Sequence, residues 1–505
     1  MTQYDGSNKP VERPPVIAVM GHIDHGKSTL LDFIRKSNVT EKETGGITQH
    51  ISACEISHEY NGVKKYITFI DTPGHEAFSA IRSRGANIAD IAILVVSAED
   101  GVKAQTSEAL SFIKNSKTPF IVTITKIDKP NTDINKAKQS LAENEIYLEG
   151  YGGSIPSVAI SAKTGEGIPE LLEMVLLMAE MEELKAYPSR NAEGFVVEAS
   201  HDPKKGITAT LIIKDGTLKK GSHCVSGTAY VPVRIMEDIN GKKISEASFS
   251  SPVRLIGWSK IPPTGDIFKS FSSKKQAEQY ISECESKQTP KDKKPATGIS
   301  LEGNIMTVPL VIKADTAGSV EAIEHELQRV RVERVQTKII HKGVGDITEN
   351  DLKSAGGCAN PIILGFNVGI DSRLGQLPER LCATIKTFDI IYHLTEWLSE
   401  ELRKRTPRVT VEESKAKVKI LKTFSRDKNN QVVGGRVETG ILSVGDKVKI
   451  SRRESQIGEG SVKELQQQKT KVREVEEGKE CGMLIDAKFE IFPGDSIESY
   501  KLVEK

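Results

Sequence analysis

VIAVMGHIDHGKSTLLDFIRK, residues 16–36, decides the fold of the first part of this chain. Its first five residues are an apolar run typical of a buried strand, and STLLDFIRK has the amphipathic spacing of a helix. Between them, residues 21–28 fit the pattern GxxxxGK[ST], whose glycines let backbone N–H groups curl around a phosphate at a helix N-terminus. A glycine-rich structural turn is the alternative, but the flanking strand and helix favour a phosphate-binding loop.

Short apolar runs continue to alternate with helical stretches as far as about Lys185. The predicted strands are YITFID, IAILVVSA, FIVTITKID and SVAISA, and QTSEALSFIKN is a predicted helix between two of them. This alternation predicts a parallel sheet covered by helices on both faces. The helix ELLEMVLLMAEMEELKA is predicted to close this domain, residues 14–187, because Tyr187-Pro188 breaks it.

The loop after the first strand is predicted to bind the phosphates of a nucleotide. The predicted contacts are Gly21, His22, Ile23, Asp24, His25, Gly26, Lys27, Ser28 and Thr29. Lys27 would supply positive charge to the β- and γ-phosphates, and the Ser28 hydroxyl would ligate Mg²⁺. The two loop histidines are expected to pack or to hydrogen-bond rather than to hold a metal ion. The motif alone does not separate GTP from ATP.

Three further motifs, each at a strand end, predict that the base is guanine. They comprise Asp71, Thr72, Pro73, Gly74 and His75, then Thr125, Lys126, Ile127 and Asp128, then Ser161, Ala162 and Lys163. Asp71 can hold Mg²⁺ through water, and the Gly74 amide can meet the γ-phosphate. The Asp128 carboxylate can accept both guanine donors, a pair that adenine lacks. Any one motif could be an ordinary turn, but four in order along one sheet predict a GTP site.

A switch and a catalytic residue are also predicted from the sequence. TEKETGGITQH, residues 40–50, is polar and glycine-rich, and its Thr48 is predicted to bind Mg²⁺ and to sense the γ-phosphate. His75 is the candidate for orienting the attacking water, since phosphoryl transfer needs positioning more than covalent chemistry. A loop histidine without a role is the alternative. Because no arginine finger can be assigned in the sequence, slow hydrolysis that awaits an external activator is expected.

The motif set resembles the GTPase family and its translational branch in particular. VMGHIDHGKSTLLD and GGITQHI resemble bacterial translation initiation factor two, and the resemblance extends over nearly the whole chain. It implies that Ile23 and Ile47 flank His75 as an apolar gate and that Asp24 helps to hold a monovalent cation. The base-reading motif of the family begins with Asn, whereas here it begins with Thr125. Thr125 can still tether the loop, but the loss of an amide contact predicts lower nucleotide affinity.

Beyond the first domain the sequence predicts four more segments. Residues 190–272 show short strands with Gly turns, typical of a β-barrel, and residues 273–300 a helix and linker. Residues 301–388 alternate strand and helix, as in an α/β sandwich domain. A connecting helix follows at 389–406, with Ile391, Leu394, Leu398 and Leu402 as its apolar stripe. Residues 407–505 are predicted to form a C-terminal β-barrel, so the fold class is α/β plus β, multidomain.

The C-terminal barrel carries a second predicted binding site. Glu480, Cys481 and Gly482 match the ECG signature of the same family, and the resemblance implies that this barrel binds formylmethionyl initiator tRNA. Gly435 and Arg436 lie where the family has Gly followed by Cys, so Arg436 is a departure. Apart from the resemblance, ECG reads as a strand-end turn with a buried thiol that has no base beside it.

Composition and charge exclude several classes of protein. Lys plus Arg (70) nearly cancels Asp plus Glu (69), so RNA contact would depend on local patches, each of which is otherwise a solvated face. The six cysteines include no CxxC pair, which argues against a zinc ribbon or a disulfide framework. No run of 18 apolar residues occurs, and about 15 polar residues precede the first strand. We expect a cytoplasmic protein without membrane segments, in a short form without auxiliary ribosome-anchoring domains.

Together these features predict a GTPase that serves as a translation initiation factor. The expected partners are both ribosomal subunits, formylmethionyl initiator tRNA and other initiation factors, and the expected state is a monomer with GTP or GDP and Mg²⁺. Three rivals remain: an elongation-type GTPase that delivers tRNA, the GTPase subunit of a sulfate-activating enzyme, and a nucleotide-binding scaffold without turnover. The first two place barrels directly after the switch domain, whereas here an α/β unit intervenes.

Overall fold

The computed structural model describes residues 9–36, 48–49, 51–130, 132–287, 306–355, 357, 359–406, 410–427, 429–453, 455–468 and 470–504. The chain divides into two compact units, Met1–Arg405 and Thr406–Lys505. Ile47 of the expected apolar gate, most of the predicted switch loop and the linker after residue 287 lie outside the described residues. In the part of the chain that is described, no helix combines the length and apolarity needed to cross a membrane.

The first domain is built on a six-stranded sheet. Its elements are β1 (Val11–Glu12), β2 (Val16–Gly21), α1 (Lys27–Arg35), β3 (Ser52–Tyr60), β4 (Val63–Asp71), the 3-10 helix Glu76–Phe78, α2 (Ser79–Ile88), β5 (Ile91–Ser97), α3 (Ala104–Ser116), β6 (Phe120–Thr125), α4 (Ile134–Glu143), β7 (Ser157–Ala159), α5 (Ile168–Met181) and β8 (Lys185–Ala186). The strand order is β3-β4-β2-β5-β6-β7. The predicted parallel sheet is confirmed for five strands.

The sixth strand, β3, was not predicted, and it runs antiparallel to β4. The two strands are joined through Asn61 and Gly62, which both have positive φ (52° and 73°) and so form the turn that suits a two-residue hairpin. β3 is an edge strand whose outer half alternates between partly buried and exposed residues. Without a continuous apolar run it escaped the pattern that identified the buried strands.

The predicted extent of the closing helix was wrong, because α5 ends at Met181 rather than continuing to Ala186. Met181 is already 77% exposed, so the helix has no further apolar face to bury. The following Lys185 and Ala186 instead pair with Val11 and Glu12, and Ala186 packs in the core of the next domain.

The second domain is an antiparallel β structure around one apolar core. Its elements are β9 (Glu193–Asp202), β10 (Gly206–Asp215), β11 (Leu218–Lys219), β12 (His223–Ser226), β13 (Ala229–Pro232), β14 (Ile235–Glu237), β15 (Lys243–Ile244), β16 (Glu246–Ala247), β17 (Pro252–Ile256) and β18 (Ile267–Phe271), followed by α6 (Lys274–Lys287). Eight of these strands form one sheet in the order β13-β12-β18-β9-β10-β17-β14-β15. The apolar stretch VPVRIMED, residues 231–238, is divided between β13 and β14.

The α/β domain has a four-stranded parallel sheet in the order β20-β19-β21-β22. Its elements are β19 (Met306–Ala314), α7 (Ala317–Arg329), β20 (Val335–Val344), α8 (Glu349–Ala355), β21 (Ile362–Phe366), the 3-10 helix Ser372–Leu374, α9 (Leu377–Arg380), β22 (Thr384–Phe388) and α10 (Ile391–Arg405). The edge strand β22 was not predicted, because only Phe388 among its residues is buried. The predicted stripe of α10 is confirmed, since its four apolar residues are all buried.

Packing between these domains is direct. The Asp90 carboxylate accepts hydrogen bonds from Arg13 at 2.6 Å and from Lys214 of β10 at 2.7 Å. On α2, Arg84 donates to Thr264 of the second domain at 2.7 Å and is paired with Glu321 of α7. One apolar cluster includes side chains from all three domains, among them Ile81, Val197 and Leu310. The end of the first sheet that carries the predicted nucleotide motifs therefore lies in a unit whose domains are in contact.

The second unit is a closed β-barrel, as predicted. Its strands are β23 (Thr410–Asp427), β24 (Asn430–Gly440), β25 (Leu442–Ser443), β26 (Lys447–Arg452), β27 (Ser455–Gln467), β28 (Thr470–Val472), β29 (Glu474–Val475), β30 (Glu480–Ala487) and β31 (Ser496–Glu504). The main sheet runs β26-β31-β23-β24-β30-β27-β28, and an additional pairing of β26 with β27 closes it. The enclosed space is filled by an apolar core that includes Val418, Val433 and Ile497.

Candidate functional site

Two glycines shape the loop between β2 and α1. Gly21 has φ of +149°, and a Cβ there would lie 2.4 Å from the Val95 carbonyl oxygen of the neighbouring strand. Gly26 has φ of +89° and precedes the first residue of α1. Any larger residue would be strained at both positions, since a side chain has neither the space at Gly21 nor the favoured backbone region at Gly26. The loop therefore ends at a helix N-terminus, where backbone N–H groups favour an anion.

Lys27, the first residue of α1, links two of the predicted motifs. Its amine is buried and donates to the His22 carbonyl oxygen at 2.6 Å. Burial lowers the pKa of Lys27 to about 8, although the nearby Asp71 carboxylate opposes this shift. A Cβ on Gly74 would lie 2.6 Å from the Lys27 amine. The ends of β2 and β4 thus meet at one buried positive charge, and Gly74 is the residue that permits the approach.

Oxygen donors of the kind that Mg²⁺ prefers lie beside Lys27. The hydroxyls of Ser28 and Thr48 are 2.7 Å apart, and Asp71 is buried at the end of β4. Hydroxyl and carboxylate oxygens with room for water suit this cation. The residues present therefore fit a magnesium ion. A different kind of site, made of three or more His, Cys, Asp or Glu ligands, does not occur among the described residues. His22 and His25 pack edge to face, with ring centroids 5.0 Å apart.

The base-reading motifs also come together. The Ser161 hydroxyl donates to the Asp128 carboxylate at 2.7 Å, which lowers the pKa of Asp128. The Thr125 hydroxyl is buried and donates to the His25 carbonyl oxygen at 2.6 Å. The prediction that Thr125 can tether the loop is confirmed by this bond. Of the remaining predicted contacts, Lys126 and Ile127 are half-buried and Lys163 is exposed.

His75 is buried, and its ring packs against an aromatic side chain of α10. Its Nδ1 accepts a hydrogen bond from the Ala77 backbone N–H at 2.9 Å, and its ring centroid lies 4.0 Å from that of Tyr392 on α10. Burial, and secondarily the Arg82 guanidinium, lower the pKa of His75 to about 4. A neutral imidazole that accepts at Nδ1 carries its proton on Nε2. The ring is therefore a neutral group with a donor nitrogen.

Sequence reasoning missed the residues that support these loops. Arg82 is fully buried and donates to the carbonyl oxygens of Pro73, at 3.1 Å, and His75, while its other nitrogen pairs with Glu108 at 2.6 Å. The Gln105 side chain accepts from the Ile23 backbone N–H at 3.0 Å. A signal was available for Arg82, because it shares the buried face of α2 with Gly85 and Ala86. An arginine at such a position indicates a buried acceptor.

The other predicted contacts lie within or directly beside these loops. Ile23 approaches Gly74, since a Cβ on that glycine would lie 3.2 Å from Ile23 Cγ1. Thr72 is buried, and its hydroxyl donates to the Val19 carbonyl oxygen at 2.7 Å. Asp24 is exposed and Ala162 half-buried on these loops, and Thr29 is exposed in the first turn of α1. The first domain thus brings the described members of the predicted nucleotide set to one end of the sheet.

In the C-terminal unit, the two segments predicted to bind tRNA, residues 435–436 and 480–482, lie on neighbouring strands. Gly435 pairs with Cys481 and Arg436 with Glu480 in the register of β24 and β30. The Cys481 side chain is buried in the barrel core, which raises the pKa of its thiol to about 11. A Cβ on Gly435 would lie 2.8 Å from the Lys419 carbonyl oxygen, so barrel packing requires glycine. Only Arg436 and Glu480 present exposed side chains here.

Comparisons with protein families cover most of the chain. The model for the elongation factor Tu GTP binding domain matches residues 12–181, and that for elongation factor G domain 2 matches residues 191–271. The model for translation-initiation factor 2 matches residues 283–399. The model for elongation factor Tu domain 2 matches residues 430–497.

Individual relatives match over nearly the full chain. A protein named translation initiation factor IF-2 from Nitratiruptor sp. is 42% identical over 98% of this chain and 59% of its own length. One of the same name from Halothermothrix orenii is 42% identical over 99% of this chain and 74% of its own. A crystal structure of GDP-bound aIF5B from Aeropyrum pernix is 26% identical over 97% of this chain and 92% of that one, with a TM-score of 0.46. Because this structural likeness is weak, the family of the chain is inferred from the sequence relatives.

Proposed function

Because this chain belongs to the translation initiation factor IF-2 family, we propose that it acts as a GTP-dependent switch at the start of protein synthesis. In this role it binds formylmethionyl initiator tRNA, places it on the small ribosomal subunit, promotes subunit joining and hydrolyses GTP on the ribosome. Other initiation factors act alongside it, and the protein works as a monomer. The observation that carries the proposed GTP-dependent switch is the close approach of the Gly74 backbone to the buried amine of Lys27.

The first domain supplies groups for each part of the nucleotide. Lys27 and the N-terminus of α1 bind the β- and γ-phosphates, and Asp128 accepts the two donors of guanine. Ser28, Thr48 and Asp71 would hold Mg²⁺, which neutralises phosphate charge when it is bound. Asp24 would contribute to a site for a monovalent cation. Gly74 lies against Lys27, so the loop after β4 would sense the γ-phosphate through its backbone.

Hydrolysis requires that a water oxygen bond to the γ-phosphorus while the bridging oxygen leaves with GDP. His75 is the group that would orient this water, since its neutral ring carries a donor nitrogen. Arg82 donates to the His75 carbonyl oxygen and thereby positions the backbone of the residue that orients the water. His75 is buried in this arrangement, so activation would have to uncover its ring before it meets the attacking water.

In the C-terminal barrel, the exposed Arg436 and Glu480 would meet the aminoacylated end of initiator tRNA. The backbone of Gly435, Cys481 and Gly482 would form the floor of that contact, because the Cys481 side chain faces the core. Arg436 would supply a positive charge to a phosphate or an acyl oxygen.

The proposal is tested by measuring GTP hydrolysis with and without ribosomes, together with filter binding of formylated and unformylated initiator tRNA. We expect ribosomes to stimulate hydrolysis and the formylated tRNA to bind more tightly. His75→Ala should retain GTP binding and lose the stimulated turnover, whereas His393→Ala, on the exposed face of α10, should behave as wild type. A protein that binds elongator and initiator tRNAs equally would instead be an elongation-type GTPase, and one without turnover would be a scaffold.

A further inference from the structure

Tyr392 makes a contact that the proposed function does not yet use. It is the second residue of α10, and its ring centroid lies 4.0 Å from that of His75, with the ring planes inclined by 46°. Immediately before α10, the Asp389 carbonyl oxygen accepts a hydrogen bond from the Gln49 side chain at 2.9 Å. Gln49 follows Thr48, and His75 follows the motif that begins at Asp71. The start of α10 is therefore in contact with both loops that would sense the γ-phosphate.

In this arrangement one ring nitrogen of His75 is hydrogen-bonded and the other is buried. Nδ1 accepts from Ala77, and Nε2 is buried without a hydrogen-bond partner among the described residues. Burying a polar atom without a partner is unfavourable, so the arrangement persists only because other contacts hold it. Phe78 contributes one such contact, with ring centroids 6.0 Å apart, and Tyr392 contributes the closer one.

Tyr392 is not part of the packing that holds α10 in place. The helix is anchored by its buried stripe, Ile391, Leu394, Leu398 and Leu402. The Tyr392 side chain lies outside this stripe and is 44% exposed. A side chain that lies outside the buried stripe and is nearly half exposed adds little to the packing of the helix. Its replacement should therefore leave the fold intact.

We propose that Tyr392 is a positioning residue that holds His75 in a resting orientation and so restrains GTP hydrolysis until α10 shifts. This inference rests on the proposed function, because it assigns His75 to the orientation of water. α10 ends at Arg405, where the first compact unit ends and the chain passes into the C-terminal barrel. A shift of this helix that separates the two rings would uncover Nε2 and free the histidine to turn.

Charged groups around His75 come from three further elements. Arg82 of α2 donates to the His75 carbonyl oxygen, and Glu76 of the 3-10 helix pairs with Arg329 of α7 at 2.7 Å. None of these contacts involves Tyr392. Replacing the tyrosine therefore changes how much the imidazole is covered while leaving its charged neighbours in place.

The first test follows the titration of His75 by NMR in protein labelled with ¹⁵N-histidine, with the signal assigned through His75→Gln. In the wild type we expect a pKa well below 6.5, and in Tyr392→Ala a pKa moved toward 6.5, because water reaches the ring. Tyr392→Phe keeps the aromatic cover and should titrate as the wild type does. The matched control is His393→Ala, which removes the next side chain of α10. Equal titration in all four proteins would overturn the proposal.

The second test measures single-turnover GTP hydrolysis without ribosomes. Tyr392→Ala should hydrolyse GTP several-fold faster than the wild type, and Tyr392→Phe should hydrolyse it at the wild-type rate. The double variant that combines His75→Ala with Tyr392→Ala should not show the faster rate. An unchanged or slower rate in Tyr392→Ala would refute the restraint. If no variant hydrolyses GTP even with ribosomes, the proposed function fails, while the NMR titration still decides whether Tyr392 holds His75.

Discussion

The nucleotide end of the first sheet and the outer face of the C-terminal barrel hold their polar groups in opposite ways. In the first region Lys27, His75 and Thr125 are buried, and each has a hydrogen-bond partner within the protein. In the second, Arg436 and Glu480 are exposed on neighbouring strands, and the buried residues behind them are apolar. A buried site is arranged before its ligand arrives, whereas an exposed one acquires much of its selectivity from the shape of the ligand. Substitutions should accordingly cost more in the first region than in the second.

The largest effect is expected for Lys27→Ala. This change removes the buried amine at which the ends of β2 and β4 meet, and charged hydrogen bonds are each worth about 1.5–3 kcal/mol. We expect GTP to bind at least about 100-fold more weakly, because every 1.4 kcal/mol is a tenfold change in affinity. Isothermal titration calorimetry in magnesium buffer measures this. Lys36→Ala at the other end of α1 is the control, and an unchanged affinity in Lys27→Ala would remove this lysine from the site.

The next effect concerns base selection by Asp128. Asp128→Asn replaces a carboxylate that would accept from two guanine donors with an amide that could accept from only one, and we expect preference to move toward xanthine nucleotides by about 100-fold or more. The bond from Ser161 can survive, since the amide retains an acceptor oxygen. Competition between GTP and xanthosine triphosphate checks the change. Asp133→Asn, at the start of α4, should retain the wild-type preference; loss of preference in both variants would mean that Asp128 acts only through local structure.

These two residues were predictable, and the contrast with what was missed has a physical cause. Lys27 and Asp128 belong to motifs that follow strands directly, so local sequence fixes both their spacing and their direction. Arg82, Gln105 and Tyr392 reach the same loops from helices, and only tertiary packing determines that they do. Two of the strands that were not predicted, β3 and β22, are edges with mixed exposure, where the apolar signal is weak. Arg82 alone offered a hint, as a charge on a buried helix face.

A smaller effect is expected for Thr125→Val. The substitution keeps the shape of the side chain but leaves the His25 carbonyl oxygen without the hydroxyl that donates to it. An unsatisfied buried acceptor costs about 1–3 kcal/mol, so we expect that loss in the free energy of unfolding, measured in urea, and several-fold weaker GTP binding. Thr123→Val is a close control, because this buried hydroxyl on the same strand has no hydrogen-bond partner among the described residues. Equal losses in both variants would contradict the tether.

The smallest effect is expected for Arg436→Ala in the exposed region. The side chain donates to the Gly478 carbonyl oxygen at 3.2 Å and is otherwise exposed, so its loss should leave the stability of the barrel nearly unchanged. Exposed charges contribute roughly 1 kcal/mol or less, which predicts about threefold to fivefold weaker binding of initiator tRNA at low salt. Lys471→Ala on β28, three strands away from β24 in the main sheet, is the control. A loss as large as that in Lys27→Ala would abolish the contrast between the two regions.

The two arginines of α2 have a consequence for how information leaves the first domain. Residues two apart on a helix point to opposite sides, since each step turns about 100°. Arg82 holds the backbone at Pro73 and His75, while Arg84 touches the second domain at Thr264 and the α/β domain at Glu321. A rotation of α2 driven by the loop after β4 would therefore strain both outward contacts in the same instant. Such a rotation would act on the second domain and on the α/β domain through separate contacts, so neither domain would have to move before the other.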